Sequence, residues 1–248
     1  MENKFKSNPF YYRVIGDYAL FTDPVTKGGG EKYTYQVPTY QALKGITEQI
    51  YWKPTIIYYI DAVKVMKRIT TETKGIRAPL KDGSNDLNYY TYLRDVEYLV
   101  QFHFEWNESR TELAEDRNEI KHEQLILRSL SKGGRRDIFL GTRECVAYVE
   151  RLRAEQFQHA VSPYKEEKLS FGIMFHSFQY PDENLDSSKN VLISNFSNTA
   201  MDEGCITFIR PEECQIHHSL KNYNFKTFTK DNVTFAEEEC KLLPEEVE

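Results

Sequence analysis

The chain has 248 residues, of which 40% are hydrophobic and 14% aromatic, and its formal net charge is −6. This aromatic content excludes a disordered chain, and the length fits one large domain or two small ones. No window approaches about 18 uninterrupted apolar residues, which excludes a membrane-spanning helix, and the first residues lack the apolar core of a secretory signal.

The chain begins with a predicted strand, helix and second strand. Phe10 to Phe21 and Thr55 to Met66 are aromatic and β-branched with alternating apolar positions, so both are predicted strands. A glycine-rich loop follows the first strand, and Pro38 then suits the first turn of a helix that extends to Trp52. That helix places three apolar residues on one face, namely Leu43, Ile46 and Ile50.

The clearest strand of the chain runs from Asp95 to Trp106. Its even-numbered apolar residues alternate with polar ones, and Leu99 is the exception on the polar face. The segment before it, Glu72 to Asn88, contains Gly, Pro and Asp-Gly and is interpreted as a loop or a hairpin insertion.

A second helix is predicted to begin at Asp116. Asp116 and Glu119 have the spacing of a capping box, with Asp116 as the N-cap, and the helix is expected to run to about Lys132. Gly133 and Gly134 supply its C-terminal stop. Arg143 to Leu152 is then predicted as a strand.

These elements give the order β-α-β-β-α-β and predict an α+β fold. The predicted N-terminal domain, residues 1–152, is ferredoxin-like, the arrangement shared with RNA-recognition motifs. Short strand-like runs after the polar stretch 153–169 predict a small β-rich C-terminal domain, residues 153–248. Its acidic tail, from Glu237 to Glu248, carries six Glu and one Lys and is expected to be loose.

Although the net charge of the whole chain is mildly negative, two stretches of the sequence are basic. Leu20 to Lys81 holds ten Lys and Arg against five Asp and Glu, and Arg128 to Arg143 holds five against one. Such stretches are the usual footprint of a polyanion partner, although solvated basic faces are commoner.

The cysteines and the missing motifs narrow the class of protein. The four cysteines are Cys145, Cys205, Cys214 and Cys240; none forms a C-x-x-C pair, so free thiols in a reducing cytosol are expected. No phosphate loop, G-x-S-x-G elbow or H-E-x-x-H helix occurs, which disfavours nucleotide hydrolysis, serine-hydrolase chemistry and zinc proteolysis. No metal or cofactor is expected.

Three features are candidates for chemistry, and each has a plainer interpretation. Lys121 and His122 are adjacent on the second helix and are either catalytic or the border of a solvated basic edge. The segment Lys132 to Arg143 packs four cations and three glycines, and it either cradles phosphates or is a helix cap followed by a turn. Tyr51, beside Trp52, is either a core aromatic or a hydroxyl that points into a cleft.

Long blocks of this chain resemble the CRISPR-associated family-five (Cas5) proteins of type I-C (Dvulg) systems. The blocks are Gly16-Asp-Tyr-Ala-Leu-Phe-Thr-Asp-Pro24, Val37-Pro-Thr-Tyr-Gln-Ala-Leu-Lys-Gly-Ile46, Ile50-Tyr-Trp-Lys-Pro54, Asp116-Arg-Asn-Glu119 with Lys121-His122, and Lys132 to Cys145. After Leu152 the resemblance is patchier, although Tyr180-Pro-Asp-Glu183 and Arg210-Pro-Glu-Glu-Cys214 still match.

The resemblance implies an endoribonuclease that cuts the repeat RNA of precursor CRISPR RNA (crRNA) beside its hairpin without a metal. The family's catalytic Tyr, Lys and His correspond to Tyr51, Lys121 and His122. Cleavage without metal means attack by the 2′-hydroxyl on the phosphorus, which yields a 2′,3′-cyclic phosphate and a 5′-hydroxyl. His122 can transfer protons near neutral pH and Lys121 can hold phosphate charge, but the sequence does not separate the general base from the general acid.

The basic stretches and the resemblance also suggest partners. RNA phosphates are expected at Lys27, Lys32, Arg128, Lys132, Arg135, Arg136 and Arg143. The family implies a cytoplasmic protein that stays on the 5′ handle of crRNA inside the Cascade interference complex, with a family-seven backbone protein and a family-eight large subunit.

Other functions remain open at this point. The chain could be a non-catalytic subunit that binds the 5′ handle, for which the trio of Tyr51, Lys121 and His122 would be unnecessary. A stand-alone RNA-recognition module fits the fold order but not the family blocks. The basic surface is also compatible with weak binding of duplex DNA, although nothing in the sequence indicates recognition of bases in a DNA groove.

Overall fold

The computed structural model describes residues 4–26, 28, 31–81, 83–183 and 190–222. Lys27, Cys240 and the acidic tail therefore lie outside the described residues. The elements in chain order are β1 (Phe10–Ala19), β2 (Lys32–Tyr33), α1 (Tyr40–Ile50), β3 (Ile56–Val65), β4 (Thr71–Pro79), β5 (Asn85–Trp106), α2 (Glu119–Ser131), β6 (Tyr148–Leu152), α3 (Ala154–His159), β7 (Lys168–Gln179), β8 (Val191–Asp202), β9 (Cys205–Thr207) and β10 (Ile216–Asn222). No helix in these ranges is long and apolar enough to cross a membrane.

The strands join in one large sheet whose centre is β5. The hydrogen-bonded order is β10-β8-β9-β3-β5-β1-β6, with β2 and β4 also paired to β5 and β7 paired to β8. Within the block β3-β5-β1-β6 every neighbouring pair is antiparallel. The result is a mixed α and β architecture built on a largely antiparallel sheet.

The first helix lies on one face of this block and buries its apolar stripe there. The predicted face of α1 is confirmed, since Leu43, Ile46 and Ile50 are all buried. Tyr12 of β1 reaches the helix, and its hydroxyl contacts the Leu43 carbonyl at 3.4 Å and Thr47 Oγ1 at 3.2 Å. The core of the protein therefore lies between α1 and this face of the sheet.

The alternation predicted for β5 is present, and its exception has a structural cause. The even-numbered residues Val96 to Phe104 are buried against the helical face. Leu99 points to the other face, where it forms a second buried cluster with Ala62 and with Phe157 of α3. A short helix from beyond the predicted domain boundary thus covers the one apolar residue on the polar side of the strand.

The segment interpreted from the sequence as a loop or a hairpin insertion is a hairpin. β4 pairs antiparallel with the first half of β5, from Thr71 opposite Leu93 to Pro79 opposite Asn85. Asp95, with φ of 49°, marks the place where β5 leaves β4 and continues between β1 and β3. One edge of the long strand therefore pairs first with β4 and then with β3.

Several predicted boundaries are wrong by a few residues. α1 begins at Tyr40 with Thr39 as its N-cap, so Pro38 precedes the helix and does not lie in its first turn. The N-cap of α2 is Asn118, whose side chain accepts from the Lys121 N–H, whereas Asp116 ends a 3₁₀ turn. β6 begins only at Tyr148, because the preceding residues form turns.

The segment after Leu152 is rich in strands, as predicted. β7, β8 and β10 form a ladder, and β9 pairs with β3, which continues the same sheet from the first part of the chain into the second. The domain boundary at residue 153 stays a prediction.

Candidate catalytic site and nucleic-acid interface

The end of α1 and the start of α2 bring Tyr51 and His122 into contact. Tyr51 caps α1 in an extended conformation, and its N–H donates to the Thr47 carbonyl. His122 lies in the first turns of α2 on the buried side of the helix. The Tyr51 hydroxyl lies 3.0 Å from His122 Nδ1. Two residues that are far apart in the sequence thus form one hydrogen-bonded pair.

The hydrogen bonds of His122 determine which ring nitrogen carries the proton. Nε2 lies 2.9 Å from the main-chain carbonyl oxygen of Asp116. A carbonyl oxygen only accepts, so Nε2 must donate, and in the neutral ring Nδ1 is then the acceptor of the Tyr51 O–H. The geometry therefore assigns the Nε2–H tautomer with a free pair of electrons on Nδ1.

Burial keeps this pair neutral. His122 is 0% exposed and Tyr51 1% exposed. Loss of hydration lowers the pKa of His122, and the Asp116 carbonyl opposes that shift. Burial likewise raises the pKa of Tyr51, which the nearby Arg135 opposes. At neutral pH the imidazole is therefore a neutral base and the phenol keeps its proton.

Lys121 is the accessible member of the trio, because its side chain is 47% exposed. Its ammonium group forms an ion pair with the Asp116 carboxylate. Thr55 Oγ1 donates to the same carboxylate at 2.6 Å. The ammonium first and the hydroxyl second hold the pKa of Asp116 below its usual value. A cation held in this way is available to an incoming phosphate at the edge of the buried pair.

Aromatic rings enclose the pair on its inner side. The rings of Phe104 and Trp106, at the end of β5, lie edge-on to His122 with centroids 6.2 and 5.6 Å away. The guanidinium carbon of Arg135 lies 4.8 Å from the centre of the Tyr51 ring. An aromatic lining of this kind strengthens each charge interaction within it.

Asp116 and Thr55 also belong to the site. The sequence pattern indicates only a helix cap for Asp116 and the start of a strand for Thr55. The one available signal was that Asp116 lies five residues before Lys121, a spacing that a turn followed by a helix can close. Nothing in the sequence indicates that Thr55 reaches them.

Five of the predicted RNA-binding cations line two adjoining clefts beside the trio. A cleft of about 430 Å³ is lined by Arg128, Lys132 and Arg135, with Ser129 and Gly134. A second, of about 420 Å³, is lined among others by Lys132, Arg136, Arg143 and the exposed Tyr148. Lys132 belongs to both clefts. Because Arg135 also lies against the Tyr51 ring, a polyanion bound along these clefts would pass close to Tyr51.

Gly133 and Gly134 do not offer their amides to a ligand, contrary to one interpretation of the sequence. The Gly133 N–H donates to the Leu130 carbonyl and the Gly134 N–H to the Ser129 carbonyl, and both glycines have positive φ. This is the cap that ends α2. Gly141 instead permits a close approach to the backbone of Leu20. Binding of phosphate at this helix end therefore falls to the side chains.

Lys32 is not brought to the same place. It lies on β2, and its ammonium group sits 4.7 Å from the centre of the Tyr90 ring, near the start of β5. The predicted catalytic trio lies at the other end of that strand, where the His122 ring contacts Trp106. The described residues contain no group of three or more His, Cys, Asp or Glu side chains placed to hold a metal ion.

Known proteins resemble this chain over most of its length. Residues 11–209 match the family described as CRISPR-associated protein (Cas_Cas5). The CRISPR pre-crRNA endoribonuclease Cas5d of Mannheimia succiniciproducens is 29% identical in an alignment 150 residues long that covers 51% of this chain and 64% of that protein. The protein of the same name from Thermus thermophilus is 29% identical in an alignment 146 residues long that covers 55% of this chain and 61% of that protein.

The chain therefore spans less than two thirds of either of these relatives. A solved structure described as a CRISPR-associated protein is 44% identical. It covers 87% of this chain and 99% of its own, with a TM-score of 0.75.

Proposed function

The chain belongs to the CRISPR-associated Cas5 family, and from that membership we propose that it is a metal-independent endoribonuclease that cleaves the repeat RNA of precursor crRNA. The observation that carries the proposal is the hydrogen bond between Tyr51 and His122 Nδ1 beside the accessible Lys121. The names of two relatives, both pre-crRNA endoribonucleases, point the same way. The type I-C assignment rests on the resemblance of the sequence blocks.

The proposed reaction is attack by the RNA 2′-hydroxyl on the adjacent phosphorus. The 2′-oxygen forms a bond to phosphorus, its proton leaves, and the bond between phosphorus and the 5′-oxygen breaks. The departing 5′-oxygen takes up a proton, so the products are a 2′,3′-cyclic phosphate and a 5′-hydroxyl. A neutral His122 hydrogen-bonded to Tyr51 supplies the base, and the ammonium group of Lys121 stabilises the extra charge on the phosphate oxygens.

The RNA must gain access to a closed site. Tyr51 and His122 are buried, whereas Lys121 is half exposed. The scissile phosphate therefore meets Lys121 first, competes with Asp116 for it, and reaches the Tyr51 hydroxyl only after a local rearrangement. Such an induced fit would restrict cutting to RNA that is bound in the correct register.

We propose that the two basic clefts hold the RNA backbone next to the scissile phosphate. Lys132→Ala and Arg136→Ala are each expected to weaken RNA binding and to lower the slope of log affinity against log salt by about 0.7 to 1, since each removes one phosphate contact. The measurement is fluorescence-anisotropy titration at several salt concentrations. Lys168→Ala, which removes an exposed cation paired with Asp202, is the control. Unchanged slopes in both cleft variants would remove the clefts from the RNA path.

The function is tested by a cleavage assay with labelled cognate repeat RNA in EDTA. A parallel substrate carries a 2′-deoxy group at the cut site. Cutting in EDTA that disappears with the 2′-deoxy RNA supports the proposed reaction. Tight binding without cutting would contradict it and favour a structural subunit.

The same assay gives a pH dependence with a definite sign. The active form of His122 is the neutral ring, and burial lowers the pKa of that ring below about 6.5. The single-turnover rate is therefore expected to change little as the pH falls from 8 to 6.5 and to decline only at lower pH. A decline that begins well above pH 6.5 would mean that another group titrates as the base.

The alternative function is a non-catalytic subunit that binds the 5′ handle of crRNA. It is favoured by one observation, that both ring nitrogens of His122 are already hydrogen-bonded in a fully buried site. The two functions are compatible if the enzyme keeps its product. We therefore propose that the protein remains on crRNA in the cytoplasm as part of a Cascade complex, together with family-seven and family-eight subunits.

We also infer that β1-α1-β3-β5-α2-β6 form a ferredoxin-like unit similar to an RNA-recognition motif, within residues 1–152. The spatial order β3-β5-β1-β6 and its antiparallel pairing support this arrangement. The β-rich part after residue 152 is proposed as the second domain, attached to the first through β9 on β3.

A further inference from the structure

Asp116 is the residue on which the contacts of the proposed trio converge. One carboxylate oxygen pairs with Lys121, and the other accepts from Thr55. Its main-chain carbonyl accepts from His122 Nε2. It therefore touches the lysine directly, the histidine directly, and the tyrosine through the histidine ring.

The turn that follows Asp116 fixes the direction of its carbonyl. The Asn118 N–H donates to the Asp116 carbonyl at 2.8 Å, across Arg117 with φ of −73° and ψ of 77°. These angles are those of an inverse γ-turn. Arg117 is itself anchored, because its guanidinium donates to the Asn107 carbonyl at 3.1 Å. Both lone pairs of the Asp116 carbonyl are thus occupied, one by the turn and one by His122.

From these contacts we infer that Asp116 is a positioning residue that sets the tautomer of His122 through its carbonyl and the place of Lys121 through its carboxylate. The inference rests on the proposed function for its catalytic meaning, but the tautomer itself is a property of the RNA-free protein. Asp116 is not a catalytic residue, since it acts on the RNA only through its two neighbours.

These contacts distinguish the chemical roles of His122 and Lys121, which the sequence left open. With the proton fixed on Nε2, only Nδ1 can accept one, and Nδ1 faces Tyr51. The 2′-hydroxyl proton would pass to the Tyr51 oxygen while the Tyr51 proton passes to Nδ1. The imidazolium that forms is stabilised by the Asp116 carbonyl and carboxylate, the latter 3.5 Å from Nε2. Lys121 is left to stabilise the charge on the phosphate oxygens and to give a proton to the departing 5′-oxygen.

The charges around His122 agree with a base that starts neutral. Lys121 from its own helix and Lys53 from the loop before β3 disfavour the protonated ring, whereas the carboxylate of Asp116 favours it. Arg135 faces the other side of Tyr51. Loss of the Asp116 carboxylate would therefore remove an acidic group that faces the ring while leaving Lys121, Lys53 and Arg135 in place.

The direct test is nitrogen NMR of the His122 ring in protein with ¹⁵N-labelled histidine, with H122Q used to assign the signal. In the parent protein at pH 7.5 we expect the shifts of an Nε2–H tautomer. In Arg117→Gly the anchor at the Asn107 carbonyl is lost and the γ-turn loosens, so the Asp116 carbonyl is no longer held against Nε2 and we expect a mixture of the two tautomers. Asp116→Ala keeps the main-chain carbonyl and should retain the Nε2–H tautomer. This readout needs no RNA, so a protein that fails to cut RNA still tests the inference.

The kinetic test compares single-turnover cleavage in Asp116→Ala, Asp116→Asn and Thr55→Val. Misplacement of the trio is expected to slow Asp116→Ala about 10- to 100-fold. Asp116→Asn, which can still accept from Thr55, should recover part of the loss. Thr55→Val is a milder change of the same kind and covers the case in which Asp116→Ala does not fold. Asp202→Ala, which removes an exposed acid paired with Lys168, is the matched control.

Two results would overturn the inference. One is an unchanged Nε2–H tautomer in a folded Arg117→Gly protein, or in Arg117→Ala if Arg117→Gly does not fold. The other is an increase in cleavage rate, because Asp116 would then restrain Lys121 and not position it.

Discussion

His122→Gln is expected to reduce the rate of RNA cleavage about 10²- to 10⁴-fold, the usual contribution of a positioned proton-transfer group. The physical reason is that glutamine has no basic nitrogen with a pKa in the accessible range. Its amide can still donate towards the Asp116 carbonyl, so the substitution leaves fewer unsatisfied groups than alanine in a fully buried position. The measurement is single-turnover cleavage with protein in excess over labelled repeat RNA.

RNA binding is expected to survive this substitution. His122 is 0% exposed, and the cations of the two clefts are untouched. Anisotropy titration should therefore give an affinity within about threefold of the parent, a difference under 1 kcal/mol. His159→Gln, at an exposed position of α3, is the control for histidine loss. Cleavage by His122→Gln at the parental rate would remove His122 from the mechanism.

Gly141→Ala is expected to destabilise the folded protein by about 3 kcal/mol or more. A Cβ at this position would lie 2.1 Å from the Leu20 carbonyl oxygen, and the φ of Gly141 is +87°. Backbone cannot move aside as a flexible side chain can, and a left-handed residue with a Cβ carries a further cost of about 1 kcal/mol. Leu20 is also tied to this segment, because its N–H donates to the Leu140 carbonyl at 3.0 Å.

Thermal unfolding followed by circular dichroism measures this effect. For a chain of this size, 3 kcal/mol corresponds to a fall in the midpoint of roughly 6–12 °C. Gly45→Ala is the matched control, since no atom lies within 4 Å of a Cβ there and the residue lies inside α1. That substitution should leave stability unchanged or raise it by up to about 1 kcal/mol. Equal midpoints for Gly141→Ala and the parent would contradict the close approach.

Much of the fold could be predicted from local patterns. The apolar face of α1 and the alternating face of β5 follow from spacings of three to four residues and of two, which neighbouring residues determine among themselves. The predicted start of α2 was wrong because two residues could each serve as its N-cap. Asn118 and Asp116 are both good N-cap residues, and only the packing of the turn before α2 selects Asn118.

The residues of the candidate site could be predicted from the sequence to different extents. Lys121 and His122 are adjacent, so any helix brings them together, although the sequence pattern alone favoured a solvated edge. Tyr51 was assigned by resemblance to a family, because its neighbours have the composition of an ordinary helix end. Lys32 shares the basic composition of the cleft residues, yet it lies at the opposite end of β5.

The sequence by itself determined the apolar faces of α1 and β5, the basic character of the segment around Arg135 and the adjacency of a lysine and a histidine. These properties depend on residues a few positions apart. The tertiary structure alone decided that the Tyr51 hydroxyl meets His122 Nδ1, that Asp116 holds the opposite nitrogen, and that Gly141 admits the Leu20 backbone. Each of these contacts depends on a turn geometry or on the packing of two distant elements at a precision below 1 Å, which no local pattern encodes.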